Sequence, residues 1–388
     1  MGPSMGVIAV LCICLMGNSL AQPPGSNAGL PPSAYATGLA PQKLVAQIGE
    51  TLMKEKKYTD ADLLNFLVNT ECLEAEFNSL AAFGVGMHPK LFGKSSETPT
   101  GGKKADLSWD IQLWAEEVAR DEIGHVRILH EALGADGVWC PKMDFDAGFS
   151  GLFNEAMGTS SVEWDPYKND INFILSTFAL EEIGATGDKG ITGLVAFNGN
   201  ATVVDLVGGL AQSAGYQAAA DRFLLWTLRN ETVPEFGKTV AEVTGAITQR
   251  RQALTGHVSV DQALVYRGGI NVVPTEGNGV TIARTPQQVL SILTEGASNG
   301  KGGFFPDGVN GRITTPDPLN PPSDLNDLVR QANAPYVIVP SFKDVEDPFK
   351  LQNIPGPVDA TKGSTAGVTE GTGSWFTSIL PGVHDKEL

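Results

Sequence analysis

Trp114-Ala115-Glu116-Glu117-Val118-Ala119-Arg120-Asp121-Glu122-Ile123-Gly124-His125-Val126 is the stretch on which the fold turns. Val118, Glu122, His125 and Leu129 recur at three- or four-residue spacing, so they share one face of a long helix. A carboxylate and an imidazole one turn apart on a largely apolar face need partners, because burying either alone is costly. Glu-x-x-His projecting inward is one of the units by which four-helix bundles hold a pair of metal ions. The spacing by itself is a weak signal, since Glu and His also meet in this way on solvated helices. The rest of the chain has to supply the other ligands.

Working outward, this helix is predicted to run from an N-cap at Ser108 to a stop at Gly134. Before it, a first bundle helix starts at Thr59 or Asp60. It carries Leu63, Phe66, Leu67, Leu73, Phe77 and Leu80 and stops at Gly84 and Gly86. Glu71 and Glu74 lie close to its apolar face, and Glu76 falls outside it. After Gly134 comes a long connection to about Lys168, with a short helix expected at 149–157; such a connection can cross the bundle end to end. A third helix starts near Asp170 and bears Glu181-Glu182, with Gly184 and Gly187 expected to weaken or end it. A fourth is expected at 202–228, and a fifth at 234–254 with Pro234 near its first position. Thr285-Pro286 caps a short helix through Leu293. Gly300 to Arg312 is Gly-rich, and Thr314 onward is rich in Pro, Gly, Ser and Thr with one strand-like patch at 336–339. The expected architecture is all-α: a four-helix bundle with a long crossover and an added fifth helix, then an irregular Gly/Pro-rich C-terminal extension.

The first 21 residues read as a secretory signal peptide. An apolar run over 7–16 precedes Ser19-Leu20-Ala21, a small-x-small cleavage site, although no Lys or Arg precedes the run. No later stretch is apolar enough for a membrane span. The segments are therefore a leader over 1–21, a flexible lead-in over 22–57, the bundle over 58–256, an extension packing on it over 257–313, and a tail over 314–388. Two of the 4 cysteines leave with the leader, and Cys72 and Cys140 remain, either bonded or as buried thiols. The sequons at Asn200 and Asn230 become glycosylation sites in an exported chain. A net charge of -17 with no basic stripe argues against nucleic acid and anionic membranes as partners. It is compatible with polyvalent cations or basic cell-wall components.

Several runs resemble the plant desiccation-related proteins with a ferritin-like domain. They are Asp62-Leu63-Leu64-Asn65-Phe66, Leu73-Glu74-Ala75-Glu76-Phe77, Ala119 to Val126, Ala283-Arg284-Thr285-Pro286-Gln287-Gln288-Val289-Leu290, and Gly302-Gly303-Phe304-Phe305-Pro306-Asp307-Gly308-Val309-Asn310-Gly311. The resemblance runs from about Tyr58 to Ile313, in order; the tail lies outside it. It implies a ferritin-like bundle, export and an association with drought or stress, and no particular activity.

A dimetal carboxylate bundle takes one Glu from each of two helices and Glu-x-x-His from each of the other two. Here Glu71, with Glu74 second, stands on the first helix, Glu122 and His125 on the second, and Glu181 or Glu182 on the third. On the fourth, Ala214-Gly215-Tyr216-Gln217 occupies the place of the second Glu-x-x-His, and neither Ala nor Gln replaces those ligands. Three readings follow: a relic site whose groups pair with one another and with Tyr216 or Gln217; one iron or manganese ion on Glu71, Glu122, His125 and Glu181; or a working dinuclear oxidase. Ligand count favours the first, hence no cofactor and no catalytic residue. The functional expectation is a secreted stress-protective or structural protein. The alternatives are a metal-dependent oxidase or peroxide scavenger, and a matrix-binding or self-associating module docking through the tail and Phe304-Phe305. His88, His130, His257 and His384 are expected to be solvated.

Overall fold

A computed structural model describes residues 53–54, 56–93, 99–255, 261–266, 269–275 and 280–316. The leader, most of the lead-in, His257, His384 and the tail beyond 316, including the 336–339 patch, lie outside the described residues.

The first bundle helix, α1 (Asp60–Phe83), is set by a reciprocal cap. Thr59 Oγ1 accepts from the Asp62 N–H (3.1 Å), and the Asp62 carboxylate accepts from the Thr59 N–H (2.9 Å). Gly84, at φ 71°, ends it. It is buried on every side, so its polar groups need partners. Asn69 supplies one case: its side chain and Asn310 exchange two hydrogen bonds of 2.8 and 2.9 Å, drawing the Gly-rich extension onto the helix. A one-turn helix, α2 (Pro89–Phe92), follows. The second bundle helix, α3 (Trp109–Leu133), is amphipathic and lies along α1.

The crossover then carries α4 (Phe145–Met157), longer at its start than the periodicity suggested because Asp144 caps it. Phe145 and Phe149 pack with Phe77, and Phe153 stacks on Trp164 at 4.0 Å between ring centroids. Burying such rings is worth about 1.5–3 kcal/mol each. A disulfide joins Cys72, in mid-α1, to Cys140 in the crossover, settling which of the two cysteine states the chain adopts.

The third bundle helix, α5 (Asp170–Asn198), corrects the sequence expectation: it passes unbroken through Gly184 and Gly187. Both glycines are points of close approach. A Cβ at Gly184 would lie 2.7 Å from Glu74 Oε1, and one at Gly187 would lie 2.8 Å from Val289. The fourth, α6 (Ala201–Thr227), packs along α5. The fifth helix is shorter than expected. Thr232–Val233 (β1) and Lys238–Thr239 (β2) form a hairpin with Pro234 in its turn, and α7 (Val240–Leu254) starts from a Thr239/Glu242 capping box. A second small hairpin pairs Val265–Tyr266 (β3) with Gly269–Ile270 (β4).

The extension packs on the bundle through α8 (Pro286–Leu293) and the turn after it. The Phe304 N–H donates to Leu293 O, and the Phe304 carbonyl accepts from the Asp144 N–H. Phe304 and Phe305 are fully buried, which overturns their expected role as a docking surface: they close the core between α4 and α8. No helix among the described residues is long and apolar enough to cross a membrane.

Candidate metal centre

Three side chains converge inside the bundle. His125 Nδ1 lies 3.0 Å from Glu71 Oε2 and 3.2 Å from Glu122 Oε2, and all three prospective ligand atoms are within 4.8 Å of one another. Neighbouring ligands on an octahedral ion with bonds of about 2.1 Å stand about 3 Å apart, so the arrangement has coordination spacing. Glu71 and Glu122 are buried, and only an edge of His125 reaches solvent. Burial works against the imidazolium, yet Glu122 and Glu71 outweigh it and push its pKa up to about 12. Burial pushes Glu122 up to about 7 against the pull of His125.

Further buried acids surround this trio. Glu74 and Glu181 are held well above the ordinary carboxylate range, first by burial and then by the charge of Glu181 on Glu74 and of Glu122 on Glu181. Asp188 is raised by burial and by Glu71. Asn78 Nδ2 donates to Glu181 Oε1 at 3.4 Å. On α6, Asp221 accepts from Trp114 Nε1 (3.1 Å), and burial raises it to about 7.

The surplus of acid over base tests whether a cation belongs here. Glu122 Oε1, Glu181 Oε2 and both Asp188 oxygens are buried without a hydrogen-bond partner among the described residues. Unpaired carboxylates in a dry interior carry a large desolvation cost, which a proton or a cation has to relieve. A nitrogen with several carboxylates suits iron or manganese. The residues present therefore fit a metal ion.

Of the five residues expected from the sequence, Glu71, Glu122 and His125 come together, while Glu74 and Glu181 lie near enough for their charges to be felt but outside that cluster. The choice on the third helix is resolved: Glu181 faces the centre, and Glu182 turns to an arginine cluster, where Arg222 Nη1 donates to it at 2.8 Å. The relic network is not the one expected. Tyr216 is 76% exposed, and the Gln217 amide is buried with neither atom bonded among the described residues. Ala214 is also buried. Glu76 is buried as well, because it caps the turn after α1: its Oε2 accepts from the Met87 N–H at 2.7 Å. His130 is half-buried against the edge of Trp139. His88 is exposed, and its imidazole caps α2. Asn200 and Asn230 are exposed, and Asn200 caps α6.

Sequence reasoning missed Asp188. Its signal is position: seven residues after Glu181, it continues the same helix face, hidden once the helix is taken to end at Gly184.

Residues 59–227 match the ferritin-like domain family. The chain is 32% identical over 252 residues to desiccation-related protein PCC13-62 of Craterostigma plantagineum, covering 62% of this chain and 79% of that protein. It is 30% identical over 268 residues to ferritin-like catalase Nec2 of Nesocodon mauritianus, covering 66% of this chain and 84% of that protein. No solved structure matches. A bundle with this domain, and this likeness along most of the relatives' length, make the chain a member of the plant desiccation-related family of ferritin-like proteins.

Proposed function

We propose that this stress-associated ferritin-like protein binds a transition-metal ion, iron or manganese, inside its bundle. Glu71, Glu122 and His125 hold the ion, with Glu181 beside them. The observation that carries the reading is the approach of His125 Nδ1 to two carboxylate oxygens at 3.0 and 3.2 Å, with Glu122 Oε1 and Glu181 Oε2 unpartnered among the described residues. The chain's own groups orient that site: Asn78 steadies Glu181, and Glu71 fixes which imidazole nitrogen faces inward. A redox-active ion held there supplies electron exchange. One relative is named a catalase, which favours decomposition of hydrogen peroxide to water and oxygen as the activity to assay.

The test is elemental analysis after reconstitution with Fe(II) or Mn(II) and desalting, for wild type and His125→Ala. The expected result is about one or more ions per wild-type chain and at least a tenfold loss in the variant, because the nitrogen ligand is gone. Wild type retaining less than about a tenth of an ion per chain contradicts the reading.

We also propose export. The apolar run and Ser19-Leu20-Ala21 support it, as does the Cys72–Cys140 bond, a type that persists in oxidising compartments.

A further inference from the structure

Trp139, in the first part of the crossover, is 44% exposed, yet the backbone that carries it is held at several points. Asn65 on α1 fixes the segment just before it: its Nδ2 donates to the Asp136 carbonyl (2.9 Å), and its Oδ1 accepts from the Val138 N–H (2.8 Å). Asn310 Nδ2 donates to the Trp139 carbonyl at 2.9 Å. The next residue, Cys140, is tied to α1 by the disulfide and to the end of α2 by its N–H, which donates to the Phe92 carbonyl (3.2 Å). The indole backs onto Gly93, where a Cβ would lie 2.7 Å from Trp139 Cγ and Cδ2, and it meets the His130 ring edge-on. A large aromatic ring left partly in water but fixed this firmly has already lost the freedom that binding would otherwise cost, as a recognition platform does.

The ring forms part of a surface pocket of about 440 Å³ between α2, the end of α3 and the crossover, a size usual for small ligands. Lys90, Arg127, His130 and Glu131 share the lining. Lys90 and Arg127 are exposed, and neither makes an ion pair among the described residues, in a chain whose net charge is -17. Burial lowers the pKa of His130, so its imidazole is neutral at pH 7, and its Nε2 has no hydrogen-bond partner among the described residues. The pocket thus joins a stacking surface to two cations without counter-ions and to polar groups that can take hydroxyls.

We propose that this pocket binds an acidic sugar, a hexuronate unit of an oligosaccharide. The C–H groups on one face of a pyranose ring carry partial positive charge and pack on the negative face of an indole. Lys90 and Arg127 pair with the uronate carboxylate. Glu131, an acceptor only, takes hydroxyl protons from the same ring. A plain aromatic acid could use the indole and the cations, but it offers Glu131 no donor and sets a like charge beside it. The overall negative charge opposes the ligand only at long range, since charges beyond about 8 Å are largely screened at physiological ionic strength. The inference is independent of the metal centre.

The test is titration of the full chain with trigalacturonate, followed by calorimetry and by saturation-transfer NMR, with neutral maltotriose and benzoate as the comparison ligands. Wild type should bind trigalacturonate with a Kd on the order of 1 mM or tighter, and the other two about tenfold more weakly or worse. Saturation transfer should be strongest at the C–H protons of one ring face. Trp139→Ala should weaken binding by about tenfold or more, while Trp139→Phe, which keeps an aromatic face, should retain most of it. Lys90→Gln with Arg127→Gln removes only exposed charge, so that chain should fold as wild type does and also lose about tenfold or more. A wild type that does not bind trigalacturonate overturns the proposal. Equal binding of maltotriose overturns the role of the carboxylate, and equal binding of benzoate overturns the sugar. Unchanged binding in the Lys90→Gln/Arg127→Gln chain places the ligand elsewhere and overturns this pocket, whether or not Trp139→Ala folds.

Discussion

Glu76 shows what burial alone does to a carboxyl group. It lies outside the metal centre, and burial raises its pKa to about 7 despite the hydrogen bond from the Met87 N–H. A folded-state pKa above the unfolded one contributes stability that is fully present below the ordinary glutamate value of 4.5 and is lost as pH rises through about 7. Glu76→Gln keeps the acceptor for Met87 and removes the charge. Its thermal midpoint should match wild type at pH 4.5 and exceed it at pH 8, by on the order of 1–3 kcal/mol of stability. An equal shift at both pH values would contradict the buried charge. Glu122 and His125 were legible at this scale because their spacing places them on one face. Asp188 and the separate duties of Glu181 and Glu182 were not. Both depend on α5 continuing past two glycines, and only neighbouring helices show why those glycines are tolerated.

Among elements, the caps were the most legible part of the chain. Thr59 and Thr285 cap their helices through their hydroxyls, Gly84 and Gly134 stop theirs, and Ser108 stands at the expected N-cap position without a side-chain cap bond. Pro234 misled, because a proline suits a hairpin turn as well as a helix start; the Thr239/Glu242 pair marked the true start of α7. That the extension packs on the bundle was expected, but the contacts that attach it were hidden, since they depend on charges distant in sequence. Asp261 Oδ2 accepts from Arg251 Nε on α7 (2.8 Å) and from Arg284 Nη2 before α8 (2.6 Å). Arg251 and Arg284 are fully buried, and their charges hold Asp261 below its usual pKa against the effect of burial. Removing one partner of such a group leaves uncompensated buried charge, at a cost of about 3–5 kcal/mol. Asp261→Ala should therefore lower the thermal midpoint by roughly 10 °C, as scanning calorimetry would show. A fall of less than about 2 °C would mean that the extension is held by apolar contacts alone.

For the whole molecule, the fold class and the position of the centre followed from the sequence, while the state of the centre did not. Ligand count on α6 pointed to a relic site. The oxygens on α3 and α5 that have no partner among the described residues are what support the proposed binding site instead, and they are a property of packing that no spacing rule reports. Export belongs to this scale too. The leader predicts that the native protein begins at Gln22, and N-terminal sequencing that found Met1 would remove that reading.

The most direct test of the central claim is anomalous diffraction at the manganese edge from crystals soaked in Mn(II). The account predicts a strong peak between His125 Nδ1, Glu71 Oε2 and Glu122 Oε2, at about 2.0–2.3 Å from each. A fully soaked crystal with no peak inside the bundle, or with peaks only on its acidic surface, would contradict it.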